Sequence, residues 1–450
     1  MTLPTFILIA LTASVIWFMQ SLADKEIKRL TLSWLLFGIV ISIFKNLLVQ
    51  MTPQWTDIPV DSLTYQLHAK ALYLHWSGYP VDAIEYKLAG YLNGWHSIYG
   101  DYWLPDADIS YAGVFGTREW VYPAFLATLN IAFDEKYGIL ANAVMAGTLP
   151  AAAYLITREL GGSEKICQLA ALFVALDPSV AINSAWLIKD TLAAFISAIT
   201  VIAICKICKK PDFKFSVVLA LSLGLLAGVR HVAFLSFGVV LSGLVVVLII
   251  KRTKKQTMCF FTASLVSLLI CGALYITPTN PSPSKELIVS SISPIKAQVS
   301  TFTAKQNEQG ADTSVVQWRI YLSDHPVKAI VRSIVRTLFA PYPWSVFQER
   351  LTGSNYIELY LFGTLFWIVI AIPSMFIGMA IASKNGLPAT ALIALLIVIS
   401  IPYLIFFGEW STRQRVFMMP LFLSFAAIGW QRIWQFLLPR LKLRLFRTSI

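Results

Sequence analysis

Residues 231–250 read HVAFLSFGVVLSGLVVVLII, and residues 251–255 continue KRTKK. These twenty residues, all but His231 apolar or small, rise 1.5 Å each and make a helix about 30 Å long, the thickness of a hydrocarbon core. The cations Lys251, Arg252, Lys254 and Lys255 close that run at one end only. An apolar run with a cationic cluster on one flank is a transmembrane helix with its charged end in the cytoplasm. Working outward, spans are read at roughly 3–20, 32–50, 138–157, 166–185, 189–207, 216–229, 231–250, 258–276, 359–382, 388–408 and 416–437. The expected fold class is therefore an all-α membrane protein of about eleven transmembrane helices.

Composition points the same way. The 450-residue chain is 57% hydrophobic and only 13% charged, with a mean hydropathy of +0.68. A soluble domain carries about a quarter charged residues. The net charge of +12 does not mark a nucleic-acid binder, because most cations sit in short segments between apolar runs. Lys25/Lys28/Arg29, Arg158/Lys165, Lys206/Lys209/Lys210/Lys214, Lys251–Lys255, Lys384 and Arg440/Lys442/Arg444/Arg447 all fall on one side when the spans alternate. The positive-inside rule makes that side the cytoplasm, with the N-terminus outside and the C-terminus inside. Met1–Gln20 is read as an uncleaved helix, although Ser21-Leu22-Ala23 would pass as a cleavage site. Cleavage would invert every later loop. The five cysteines lie in or beside apolar runs and imply no disulfide framework.

These spans divide the chain into an N-terminal helix pair (1–50), an outer loop (51–137), a helix bundle (138–276), a second outer loop (277–358), and C-terminal helices with a basic cytoplasmic tail (359–450). The first loop holds ten acids against four bases, a net charge of −6, and is rich in Trp and Tyr. Such residues suit both the headgroup region and sugar faces. The second loop contains Pro326–Phe339, in which Lys328, Arg332 and Arg336 share one helical face and Ile330, Ile334 and Leu338 another. A helix of that pattern is expected to lie along the membrane surface.

Chemistry-bearing residues collect at the outer ends of spans. Asp61 lies just past the second span, and on a helix it would share a face with Tyr65, His68 and His75. A partly desolvated carboxylate there can accept a proton from an attacking hydroxyl; the plainer role is a helix N-cap. Arg118 and Glu119 precede the apolar segment from Trp120 to Leu126, and Lys189-Asp190 opens a span. Ionisable residues at membrane depth are costly and are read as functional by default, although a Lys189–Asp190 pair would also simply mark the interface. Arg413 and Arg415 stand in a short outer loop, against the positive-inside trend, and Arg230-His231 sits in a similar outer turn. A bound anion explains them, since Arg pairs with phosphate bidentately; contact with lipid headgroups is the alternative.

Taken in order, these residues resemble the GT-C class of membrane glycosyltransferases, near the protein O-mannosyltransferases and the aminoarabinose lipid A transferases. The resemblance is carried by Asp61…Tyr65…Ala69, Arg118-Glu119…Pro123, the small-residue helix from Leu149 to Gly162, Asp177-Pro178, Asp190, the Gly-rich span Leu221–Arg230, and Arg413/Arg415…Pro420. It implies a polyprenyl-phosphate-linked sugar donor held with membrane lipid, and an extracytoplasmic acceptor that is a protein, lipid or glycan. It also implies inverting transfer with Asp61 as base and Glu119 and Asp190 as further catalytic carboxylates. Arg413, Arg415, Arg230 and Lys189 would bind the donor phosphate, and Tyr65, His68, Trp120 and Tyr122 the sugar or acceptor. Glu119 and Asp190 would suffice for a divalent ion (Mg2+, Mn2+ or Ca2+) only with waters or phosphate completing its shell, and metal use stays open. Two other classes are kept in view: a glycan polymerase or ligase using diphosphate-linked oligosaccharide, suggested by Arg319, Arg332 and Arg336, and a transporter or flippase of lipid-linked sugars. No nucleic acid is expected as a partner.

The alternation of charge predicts that a reporter fused after Ile450 is active only in the cytoplasm. A C-terminus accessible from outside would reverse the topology and move the acidic loop to the wrong side.

Overall fold

The computed structural model describes residues 3–52, 60–80, 82–84, 86–90, 120–129, 135–276, 321–339, 356–408, 410 and 412–447. Their side chains are described except at 60–61, 135, 274–276, 356–360, 406–407, 412–413 and 437–447. Among these residues the regular structure is helical throughout. The principal helices are α1 (Leu3–Leu22), α2 (Lys28–Met51), α3 (Val60–Trp76), α4 (Val121–Thr128), α5 (Glu135–Glu159), α6 (Glu164–Leu176), α7 (Pro178–Ser184) and α8 (Asp190–Lys209). They continue with α9 (Phe213–Val229), α10 (His231–Ile250), α11 (Lys254–Ile276), α12 (Pro326–Phe339), α13 (Tyr356–Phe366), α14 (Ile372–Ala382), α15 (Leu387–Pro402) and α16 (Met419–Arg447).

Nine described helical stretches are long and apolar enough to cross a membrane, and α6 with α7 makes a tenth if that pair, bent by 49°, is one span. The expected span 216–229 is the 17-residue α9. The all-α polytopic architecture is therefore the one the hydropathy pattern demands. Of the first expected outer loop α3 and α4 are described, and of the second chiefly α12; most of both loops lies outside the described residues. The final helix runs on into the basic tail, to Arg447.

Lipid tails are as apolar as Leu, so helices in a bilayer associate by close packing and polar contacts rather than by escaping water. α8 sits at the centre, with almost every residue from Asp190 to Cys208 buried. Alanine-rich α5 packs against α2 at Gly38 and Gly147, and α14 packs against α16 at Gly378 and Gly429. At each crossing a Cβ on either glycine would run into the facing backbone. α5 ends as a helix with a left-handed glycine does: Gly161 has φ +87°, its N–H bonds Arg158 O at 3.0 Å, and the Gly162 N–H bonds Thr157 O at 2.9 Å.

The bend between α6 and α7 has a local cause. Asp177 N-caps α7, accepting from the Ser179 backbone N–H at 3.0 Å and the Ser179 hydroxyl at 2.7 Å, and Pro178 occupies the first helical position. Lys45 of α2 donates to the carbonyls of Ala175 and Asp177, a cation at a helix C-terminus. Asn46 donates to Ser184 O at 2.9 Å and Gln50 to Ala185 O at 2.7 Å. Three polar residues inside an apolar span thus satisfy the irregular backbone of the break, as a bilayer requires.

Two ionic clusters mark the ends of α8. At its C-terminal end, Lys206 pairs with Asp24 at 2.7 Å and Glu159 at 2.8 Å, while Lys209 reaches Glu159 at 3.0 Å. Asp190 opens the other end of this 20-residue helix, which is about 30 Å long. That length equals one hydrocarbon core.

Gly378→Val forces apart helices whose backbones touch, and overpacking of that kind costs about 1–3 kcal/mol. Thermal unfolding in detergent is expected to show a lowered Tm, with Gly243→Val, at an open position, as the neutral control.

Candidate active site

The site lies at the Asp190 end of α8, where segments distant in sequence meet. Asp190 follows the tight turn Ala185–Lys189. Arg230 occupies the junction between α9 and α10, and its contact with Asp190 places that junction at the same end. Its guanidinium pairs with the Asp190 carboxylate, and both are nearly enclosed, at 9% and 2% exposure. The Arg230 Nε–H also donates to the Tyr403 hydroxyl at 2.9 Å. The guanidinium lies 4.6 Å from the Phe417 ring centre and 5.8 Å from that of Tyr403, within cation–π range. Tyr403 stacks on Trp410, with rings 5.2 Å apart and 2° from parallel.

Arg415 stands beside this group. It is fully buried, its guanidinium lies 4.4 Å from the centre of the Trp367 ring, and it donates to the Thr337 carbonyl. Trp367 and Tyr403 each begin a π-helical segment, Trp367–Ala371 and Tyr403–Phe407. Such wide turns occur often at functional sites. Nearby prolines, Pro373 and Pro402, lack the N–H that a regular α-helix would use. Each π-segment therefore presents its aromatic ring to one of the two buried arginines.

At the same end, α3 and α4 pack together. The Ser62 hydroxyl accepts from the Leu187 N–H at 3.1 Å, which ties the first turn of α3 to the turn before Asp190. Tyr65 contacts Tyr122 edge-on at 5.2 Å, and the Lys189 ammonium lies 5.8 Å from the Tyr65 ring centre. Asn142 of α5 donates to the Tyr122 hydroxyl at 2.9 Å and to Trp186 O at 2.7 Å. Tyr122 is enclosed, and burial pushes its phenol far above the usual range, so it stays protonated.

Of the residues singled out in the sequence, Asp190, Arg230 and Arg415 come together at this end, and Tyr65, Tyr122 and Lys189 form a neighbouring group. Position 61 opens α3 beside Ser62, while the Asp61 side chain lies outside the described residues, as do the Arg413 side chain and the whole of Glu119. Trp120 caps α4 and His68 lies on α3. Among the described residues no group of three or more His, Cys, Asp or Glu is placed to hold a metal ion, and the Asp190 carboxylate is turned to Arg230. Sequence reading missed Lys45, Asn142, Trp367 and Tyr403. Lys45 had a signal, a cation within an apolar span; the two aromatics lie within apolar runs and had none.

The fold and this end together define a polytopic helical membrane protein with a charged, aromatic-lined cluster at one end of its core. A family model described as dolichyl-phosphate-mannose-protein mannosyltransferase matches residues 132–282, a segment that contains Asp177, Lys189, Asp190 and Arg230. The chain is also similar to a solved structure, the archaeal oligosaccharyltransferase AglB from Archaeoglobus fulgidus in complex with an inhibitory peptide and a dolichol-phosphate. That similarity has 12% identity and a TM-score of 0.45, and covers 95% of this chain and 52% of that one, so the chain spans about half of its length. No curated protein matches the chain. The matched segment, about a third of the chain, is thus similar to a glycosyltransferase family, in keeping with the GT-C resemblance carried by the motifs that fall within it.

Asp190→Asn leaves a buried guanidinium without its counter-charge, and breaking one partner of such a pair costs about 3–5 kcal/mol. Unfolding measurements on Asp190→Asn, Arg230→Gln and the double variant are expected to be strongly non-additive, the double variant costing less than the sum of the two.

Proposed function

We propose that the protein transfers a sugar from a polyprenyl-phosphate-linked donor to an acceptor on the extracytoplasmic face, with inversion at the anomeric carbon. The carrying observation is the convergence of Asp190–Arg230, Arg415 and the first turn of α3 at one end of the core, within a chain whose middle matches a glycosyltransferase family. The opposite end carries the Lys206–Glu159 cluster and the cationic loops, which supports an outer location for the site.

In this reading the donor lipid lies in the bilayer with its phosphate against Arg415 and Arg413, and Arg230 and Lys189 add positive charge. Asp61 accepts the proton of the acceptor hydroxyl as its oxygen attacks the anomeric carbon. The bond from that carbon to the phosphate oxygen breaks through an oxocarbenium-like state. The phosphate leaves with the electron pair, and guanidinium hydrogen bonds strengthen as its charge grows. Asp190 acts by orienting Arg230, and Glu119 is taken as a further catalytic carboxylate. Tyr65, His68 and Trp120 offer aromatic and polar faces to the sugar or acceptor, and the enclosed Tyr122 supports the Tyr65 ring from behind.

A glycan ligase using a diphosphate-linked donor is favoured by Arg332 and Arg336 on α12. It would show turnover with diphosphate-linked and not monophosphate-linked sugars. A flippase would place charge near the bilayer midplane; here the two ionic clusters lie at the ends of α8.

Loss of a positioned base costs about 100- to 10,000-fold in rate. Asp61→Asn is expected to lose turnover by that factor while still binding donor, and Arg413→Gln with Arg415→Gln is expected to abolish transfer in a folded, inserted protein. Near-normal turnover by Asp61→Asn with an inactive Asp57→Asn would move the base to Asp57. Full activity of the double arginine variant would remove the phosphate site.

A further inference from the structure

Amphipathic α12 has an unusual inner face. Its large apolar residues Val327, Ile330, Val331, Ile334 and Val335 are exposed, as are Lys328 and Arg332, and the side it turns to the protein is the small, polar line Ala329, Ser333 and Thr337. That line docks on the broken end of the core. The Ser333 hydroxyl donates to Leu404 O at 2.9 Å, inside the second π-segment. The Thr337 hydroxyl accepts from the Trp410 backbone N–H at 2.8 Å. The last carbonyls of a helix have no partner within it, and in α12 two of these find partners at the arginine cluster. The Thr337 carbonyl accepts from Arg415, and the Leu338 carbonyl accepts from the Trp367 indole N–H at 3.1 Å. The negative end of the α12 dipole thus faces a buried guanidinium.

We infer that Thr337 is a positioning residue for the donor phosphate site: its carbonyl aims the Arg415 guanidinium, its hydroxyl holds Trp410 against Tyr403, and through it a helix whose apolar side faces outward sets the geometry of the buried arginine. This rests on the reading of Arg415 as a phosphate ligand. A guanidinium carries its N–H donors in a rigid plane, so a carbonyl fixed at the end of α12 sets the orientation of that plane. The hydroxyl contact matters separately. Without it a backbone N–H next to the Tyr403–Trp410 stack loses its acceptor, and the stack is what Arg230 leans on. One residue therefore serves both buried arginines from one turn of helix.

The test uses the full-length protein in lipid nanodiscs, with a polyprenyl monophosphate and the corresponding uncharged polyprenol as probes, and binding read by native mass spectrometry. Thr337→Val keeps shape and carbonyl but removes the hydroxyl acceptor, and it is expected to weaken monophosphate binding about tenfold, the worth of one misaligned charge-assisted hydrogen bond. Polyprenol binding should be unchanged, and Thr337→Ser should restore monophosphate binding to within about twofold. A purely structural role would move both lipids together, and that result, or a Thr337→Ser as weak as Thr337→Val, overturns the inference. If Thr337→Val binds monophosphate normally while Arg415→Gln does not, positioning fails and the phosphate site stands. If Arg415→Gln binds normally, the phosphate site itself fails.

Discussion

A carboxylate and a guanidinium removed from water each carry a desolvation penalty of several kcal/mol, which only close pairing and further hydrogen bonds offset. The Asp190–Arg230 pair is held under that constraint, and the architecture around it follows. Asp190 needs a helix that begins at the end of the core, which requires the backbone before it to turn sharply within the protein. That turn exposes carbonyls and N–H groups that a bilayer cannot satisfy. Asn46, Gln50, Asn142 and Ser62 satisfy them from three different helices. Arg230 needs acceptors and rings on its remaining sides, and the π-segment at Tyr403 with Phe417 supplies them.

The same constraint explains why the breaks cluster. The α6–α7 bend and the two π-segments leave regular geometry at the end that holds the arginines. The opposite end, around Glu159 and Lys206, closes with an ordinary left-handed glycine and a direct ion-pair cluster. Irregular backbone within a membrane is tolerated where it is buried in protein. Here it turns polar groups and aromatic rings inward, towards the buried Arg230 and Arg415.

Much of this was legible in the sequence. The expected spans fall on helical segments, 166–185 on the bent pair α6–α7, because long apolar runs admit no other solution in lipid. The helix from Pro326 to Phe339 appears as its charge spacing predicts. Asp190, Arg230 and Arg415 stood out because charge at a span end is expensive. What one sequence could not supply was pairing. Nothing in the spacing says that Asp190 meets Arg230, 40 residues on, or that Trp367 and Tyr403 turn inward. In α12 the apolar stripe drew the reading, yet the face that docks is the line of Ala329, Ser333 and Thr337, small enough for close approach. Polar residues within the second span, Lys45, Asn46 and Gln50, carried a signal, but their purpose depended on a bend that hydropathy averages away.

The central claim, a phosphate-binding end built on buried arginines, is tested most directly by a structure of the full chain in a nanodisc with a polyprenyl-phosphate-linked sugar bound. The phosphate is expected within hydrogen-bonding distance of the Arg415 guanidinium, with the sugar facing the first turn of α3. A phosphate seated instead at the Lys206–Glu159 end, or on the exposed face of α12 with Arg415 making no contact to it, would contradict that claim.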